Sequence, residues 1–280
     1  MRSVSSAVAF DALFLYPSAD RTIGPCLAQA GEFARAEVDF LRDHLPPGSA
    51  FCDVGANIGT VSIPLARSVQ GLSVFSFEPQ LPIYRLLMRN IALNGVMSVE
   101  AFPWALGEAD GLVEFAMPAM DMPVNFGAVG RDSLQGEKTP VVMRRLDSLA
   151  LPPLAMIKID VEGYDLEVVG GARETIARDR PVLFCEAHPS PKTAELISLL
   201  GRWDYELYWF FAPFVSAGSA PQPKGSGRIV GDANIAAFPK PLAPRWPLPR
   251  IRAPREDWRS RAGEFTYLER YGYKRQPLTP

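Results

Sequence analysis

Between about residues 50 and 215, short apolar runs alternate with longer segments of helical period, and that alternation admits few folds. Strands separated by such stretches cannot pair through tight hairpins. They need crossover helices, which align them in parallel within one buried sheet, so the class is α/β. The pattern predicts strands over 50–54, 72–77, 99–103, 155–160 and 182–186. Two more follow at 205–215 and 233–238, the last one antiparallel. Helices are expected over 61–68, where Pro64 delays the start or bends the axis, and over 164–177. Another places Tyr84, Leu87, Met88 and Ile91 at i, i+3, i+4 and i+7, with Pro82 in its first turn and Asn94-Gly95 at its end. The stretch from 104 to 143 holds short β-like pieces such as 112–115 and no clear order.

The chain has 280 residues, 48% of them hydrophobic, enough for one large domain with a full-sized core. With 29 basic and 31 acidic residues its net charge of −2 gives no ground for a nucleic-acid partner. No run approaches the roughly 20 apolar residues of a membrane span, and the mildly apolar start, interrupted by Asp11, reads as mature protein. The three cysteines, Cys26, Cys52 and Cys185, are far apart, without metal-ligand spacing, which fits a reducing cytoplasm and predicts no metal site built on cysteine.

The turn after the first core strand, Asp53-Val-Gly-Ala-Asn-Ile-Gly59, is of nucleotide-binding type, since Gly55 and Gly59 let backbone approach a ligand beside a helix N-terminus. A dinucleotide fingerprint is G-x-G-x-x-G; here the spacing is G-x-x-x-G, and the carboxylate of Asp53 precedes it. An anion there repels a pyrophosphate but attracts the ammonium or sulfonium of S-adenosylmethionine. Glu78, in Phe75-Ser-Phe-Glu-Pro79, ends the second strand where doubly wound folds place the acceptor for two ribose hydroxyls. The expected cofactor is therefore S-adenosylmethionine, held by Asp53, Gly55, Ala56, Asn57, Gly59, Thr60, Glu78 and Pro79. Trp104 and Ala105, after the third strand, are expected near adenine, although Trp104 could equally pack in the core.

These stretches resemble the FkbM-family methyltransferases. The resemblance rests on 51–60, Phe77-Glu-Pro79, Asn90-Ile-Ala-Leu-Asn94, Arg145-Leu-Asp-Ser-Leu149 and, most tellingly, Lys158-Ile-Asp-Val-Glu-Gly-Tyr164. Gly31-Glu32-Phe33 with Glu37 looks like the family's segment ahead of the first strand, which brings Glu32 into the expected cofactor set. Asn234-Ile-Ala-Ala-Phe-Pro239 looks like its closing strand. Asp165 stands where the family commonly has glutamate. The resemblance implies a class I methyltransferase sheet: Rossmann-like, seven-stranded and mostly parallel, with helices on both faces and the last strand antiparallel. It also implies O-methylation of a sugar or natural-product hydroxyl.

The candidate catalytic residues are Asp160, Glu162 and His188. Asp160 and Glu162, at i and i+2, aim the same way if the strand persists, and open α/β sheets bind ligands at such carboxyl ends. They could orient the acceptor hydroxyl, take its proton or hold a divalent metal, or Glu162 could simply cap the next helix. With no third ligand evident, no metal is expected. His188 follows the fifth strand, two residues after Glu186 on the same face, and an imidazole suits a base near neutrality. His44 reads as a helix-end residue, Cys52 and Cys185 as packing groups, and Asn125-Phe-Gly127 as a possible wall of the acceptor pocket.

Three parts follow: an N-terminal segment over 1–48 packed on the core, a cofactor-binding domain over 49–240, and a Pro/Arg-rich extension over 241–280. Eight prolines between Pro221 and Pro254 favour an extended segment wrapping a surface, with a loop over 216–227 and a short helix over 257–273. Nine basic residues between Arg245 and Arg275 are diluted by Glu256, Asp257, Glu264 and Glu269, which predicts a surface-packed tail. The expected partner is a small-molecule or glycan acceptor; a homo-oligomer is left open. Competing readings are an NAD-dependent oxidoreductase and a non-catalytic binding module on the same fold.

Overall fold

The computed structural model describes residues 3–134, 136–219 and 229–274. The N-terminal part begins with a hairpin, β1 (Val4–Ala9) and β2 (Ala12–Pro17), followed by α1 (Ile23–Ala30) and α2 (Arg35–His44). The core then runs β3 (Ala50–Val54), α3 (Ser62–Ser68), β4 (Ser73–Phe77), α4 (Leu81–Asn94) and β5 (Val99–Phe102). The stretch without clear order contains β6 (Trp104–Leu106), β7 (Gly111–Met117) and β8 (Glu137–Arg144), a small sheet of its own. The core resumes with β9 (Leu154–Ile159), α5 (Asp165–Gly170), α6 (Arg173–Asp179), β10 (Val182–Glu186), α7 (Pro191–Arg202), β11 (Tyr205–Pro213) and β12 (Gly231–Pro239).

The main sheet has seven strands in the order β11-β12-β10-β9-β3-β4-β5. Only β12 runs against its neighbours, β10 and β11. The expected α/β class and antiparallel last strand are thus what the chain adopts. Strands β3, β9 and β10 bury nearly every residue on both faces, which explains their continuous apolar runs. No described helix is long and apolar enough to cross a membrane.

Several expectations need correction. The helix over 164–177 is two helices, because Gly171 lies so close to the backbone of Gly107 that a Cβ would stand 1.9 Å from its carbonyl oxygen. On α4 the buried face is Ile83, Leu86, Leu87, Asn90 and Ile91, and Met88 is exposed. A polar residue rotates that face: Asn90 accepts from Leu15 N and donates to the Leu15 and Ile58 carbonyls, clamping the N-terminal hairpin to the core. β9 ends at Ile159, so strand alternation does not carry Glu162; the chain turns there, with Glu162 at φ 54°. The short helix over 257–273 is two 3-10 turns, Trp258–Glu264 and Thr266–Tyr271.

The extension lies along the open edge of β11. Trp209 N donates to Pro249 O, Ile251 N to Leu207 O, and the Tyr267 hydroxyl bonds both Phe211 N and Phe211 O at 2.7 and 2.8 Å. Trp246 is buried, edge-on to Phe40 of α2. Of the loop expected over 216–227, residues 220–227 lie outside the described residues, as does Arg275.

Candidate active site

Parallel register places the key charges side by side. Asp53 on β3 pairs with Lys158 on β9 and with Ser76 on β4, so all three side chains share one face at the sheet's carboxyl edge. The Ser62 hydroxyl donates to Asp53 Oδ2 and lies 2.8 Å from Ser76 Oγ. Lys158 Nζ sits 2.9 Å from Asp160 Oδ2, 3.8 Å from Asp53 Oδ1 and 3.9 Å from Glu37 Oε1. Burial alone would lower the lysine pKa, but Asp160, Asp53 and Glu37 outweigh it and raise it. Burial pushes Glu37 up to about 8 and also raises Asp53, with Lys158 opposing in both cases. The anion of the cofactor turn is thus not free, as expected from sequence, but shares a buried cation.

A cavity of about 300 Å³ opens beside this group, at the carboxyl ends of β3, β4, β9 and β10. That is the lower end of the range for small-molecule pockets, at the topological switch point between β3 and β9. Asp53, Gly55, Ala56, Asn57, Thr60, Glu78, Pro79, Trp104, Ala105 and Asp160 all line it, as do Glu162 and His188. Glu32 and Gly59 do not. Glu32 instead accepts from Ser216 N and pairs with Arg35, tying the start of α2 to the end of β11; Glu37 is the α2 carboxylate that reaches the cavity. A Cβ on Gly59 would meet Leu87 and Ile63, and one on Gly55 would stand 1.9 Å from Asp160 O at φ 85°. Internal packing by itself therefore demands glycine at both positions.

Glu78 is 3% exposed and receives Asn57 N at 3.0 Å and Gln80 N at 2.8 Å, one on each oxygen. Burial raises its pKa to about 7 while those two N–H groups hold it down. Each oxygen keeps a lone pair for a further donor. Gln80 Oε1 and Asp53 Oδ1 are buried cavity-lining acceptors with no hydrogen-bond partner among the described residues. Such acceptors are costly unless a donor reaches them, so the site fits a donor-rich ligand carrying a diol, an amine and an ammonium. Trp104, which lines the cavity, stacks on Phe102 at 4.8 Å and has the Arg144 guanidinium 5.9 Å over its ring.

At the opposite end, His188 Nε2 lies 2.9 Å from Glu186 Oε1 and 3.4 Å from Glu162 Oε2. Hydrogen bonds donated to Glu162 and Glu186 raise the imidazole to about 11 against the effect of burial. Burial and Asp160 raise Asp232, which faces this group from β12, to about 7. Asp165, buried on α5, accepts Glu186 N and so fixes the exit of β10. Asn125 and Gly127 line the cavity near its mouth. His44 ends α2, bonded to Phe40 O, and Cys52 and Cys185 are buried packing groups.

Sequence reasoning assigned no role to Lys158, Gln80 or Asp232. The first had a signal, since it stands two residues before Asp160 on one strand face. Asp232 had none, because it arrives from a strand antiparallel to the rest.

The sheet order, the acidic residue ending β4 and a cavity across the switch point define a class I methyltransferase. The family profile described as the methyltransferase FkbM domain matches residues 53–207, and the chain belongs to that family of S-adenosylmethionine-dependent methyltransferases. The methyltransferase sdnD of Sordaria araneosa is 27% identical over 164 residues, covering 47% of this chain and 63% of that one. The AMB antimetabolite synthetase AmbE of Pseudomonas aeruginosa is 27% identical over 208 residues, covering 58% of this chain and 10% of its own length. The match therefore spans less than two thirds of either relative. Among solved structures, the FkbM methyltransferase of Methylobacillus flagellatus is similar at 17% identity and a TM-score of 0.45, over 72% of this chain and 50% of that one. Family membership sets aside the oxidoreductase.

Proposed function

We propose that the chain methylates a hydroxyl of a sugar or natural-product small molecule. The observation that carries this reading is the polarity of one cavity, which has a carboxylate fed by backbone N–H groups at one end and a carboxylate–imidazole cluster at the other. Glu78 would hold the ribose hydroxyls of S-adenosylmethionine, Gln80 and Trp104 its adenine, and Asp53 with Asn57 its amino-acid end. Bound there, the cofactor supplies a methyl group already activated on a sulfonium. Alignment of acceptor, methyl and sulfur then provides much of the rate, and the chain's own task is to place the acceptor oxygen and remove its proton. Asp160, Glu162 and His188 are the groups positioned to do so. An imidazole that is already protonated is no base, so a carboxylate of the cluster takes the proton.

The cavity's size supports a small acceptor over a nucleic acid. So do the arginines of the extension, of which Arg250, Arg259 and Arg261 pair with Glu206, Asp257, and Glu256 with Glu264. Free cysteines, two of them buried in strands, support a cytoplasmic setting.

The test has two arms. Glu78→Ala should weaken S-adenosylhomocysteine binding by about 100-fold, the worth of one or two hydrogen bonds to a charged group. Unchanged affinity by calorimetry removes the ribose assignment. Incubation with S-adenosylmethionine and a panel of sugars and polyhydroxylated natural products should then yield a methyl ether. Methylation confined to amine or carbon acceptors would overturn the hydroxyl reading.

A further inference from the structure

We propose that Glu162, Glu186 and His188 form a binding site for a divalent first-row transition metal ion at the acceptor end of the cavity. One carboxylate oxygen from each glutamate and one imidazole nitrogen all lie within 4.8 Å of one another. Metal–ligand bonds of about 2.1 Å at octahedral or tetrahedral angles set neighbouring ligands roughly 3.0–3.4 Å apart. The observed separations from His188 Nε2, 2.9 Å to Glu186 and 3.4 Å to Glu162, match that spacing.

A second observation points to a cation independently of the cluster's composition. The Glu186 side chain is 6% exposed, and its Oε2 is buried with no hydrogen-bond partner among the described residues. A buried carboxyl oxygen without a donor is costly in a protein, and a cation bound at the group relieves it. The surroundings add to this demand, since Asp160 and Asp232 both act on the group electrostatically. Without the ion, the protonated His188 balances the two glutamates; the ion takes its place between them, and the Nε2 proton leaves to water.

The three ligands are also held in place. Asp165 fixes the backbone at Glu186, and Ala187 N donates to Ala233 O just before His188. Glu162 is held in its turn against Gly130, whose absent Cβ would stand 2.9 Å from Glu162 Cβ. Two oxygens and one imidazole suit manganese, iron or zinc better than calcium, and three protein ligands leave open positions toward the cavity. Resting on the methyl-transfer reading above, the ion's role is to bind the acceptor oxygen. The new oxygen–carbon bond forms as the sulfur–carbon bond breaks and the sulfonium becomes a neutral thioether. The hydroxyl proton passes to Asp160, a cavity carboxylate outside the proposed ligand set, and from there to water.

The test titrates manganese(II) into the chelator-stripped full chain, followed by loss of the free-ion EPR signal, with zinc(II) as competitor. S-adenosylhomocysteine affinity is measured in parallel. One saturable site is expected, weakened at least about tenfold in Glu186→Gln, since even outer partners of metal ligands are worth that much. His188→Ala, at a half-exposed position, should weaken it similarly and keeps the test decisive if the buried variant fails to fold. Absence of saturable binding by either ion, or binding equal in wild type and His188→Ala, overturns the proposal and leaves the methyl-transfer reading standing. Manganese binding to a chain that does not bind S-adenosylhomocysteine would support the metal site and strike the donor assignment instead.

Discussion

The two ends of the cavity are built differently. At the β3–β4 end, Glu78 is held by two backbone N–H groups and Asp53 by a serine hydroxyl, all within 28 consecutive positions of the chain, 53 to 80. At the β9–β10 end, Glu162, Glu186, His188 and Asp232 face one another, side chain to side chain, from three separate segments. The first is a fixed receptor whose polarity is set by the main chain. The second is a cluster of carboxylates gathered around one imidazole, whose arrangement depends on what shares their charge. Lys158 is the border post, because it touches Asp53 of one set and Asp160 of the other. A shared nucleotide-binding end can stay constant while the acceptor end is rebuilt by side-chain changes alone.

Gly55→Ala should break the frame between the two ends. Its Cβ would overlap the Asp160 carbonyl, at a φ that L-residues avoid, so a stability loss of about 4 kcal/mol or more is expected in urea denaturation. Wild-type stability would show that the β3–β9 contact is looser than described. Lys158→Met removes the cation from Glu37, Asp53 and Asp160 at once and should cost about 3–5 kcal/mol, read from the same curves. An equal loss of S-adenosylhomocysteine affinity and of manganese binding would confirm the border role; loss of one alone would assign the lysine to that end.

The third prediction concerns pH. Glu78 lies above its ordinary value, at about 7, and ribose hydroxyls donate to its ionised form. S-adenosylhomocysteine affinity should therefore be full above about pH 7 and fall as pH drops through it, approaching tenfold per unit well below. Calorimetry from pH 8 to 5.5 checks this, and a flat profile would remove Glu78 from the donor contacts. The smallest effect is expected at Glu32, which serves the α2–β11 junction. Glu32→Ala should lower the melting temperature, by about 1–3 kcal/mol of lost hydrogen bonding, and leave S-adenosylhomocysteine affinity within about twofold.

The contrast also explains what the sequence could disclose. The succession of strands along the chain and the gathering of Asp53 and Glu78 at one cavity were legible because local periodicity and one short motif encode them. Asp160, Glu162 and His188 were singled out because they follow strands, and all three line the cavity, though a turn rather than an extended strand carries Glu162 there. Glu32 was misassigned because two acidic residues five positions apart on one segment face different neighbours, and nothing local says which. Lys158 and Asp232 acquire meaning only from cross-strand register, which pairs residues more than 100 positions apart, such as Asp53 with Lys158. Of the small sheet of β6, β7 and β8 only the piece 112–115, within β7, was legible, because its longest strand, β8, is largely exposed and lacks a continuous apolar run.

The segment beyond β12 has a consequence for anyone preparing the enzyme. Its carbonyl at Pro249 and its phenol at Tyr267 occupy hydrogen-bonding positions along β11 that would otherwise template another chain. Because β11 is zipped to β12 through Ala212 and Asp232, a trimmed protein ending near residue 240 would gain a sticky flank and loosen one wall of its own reaction chamber.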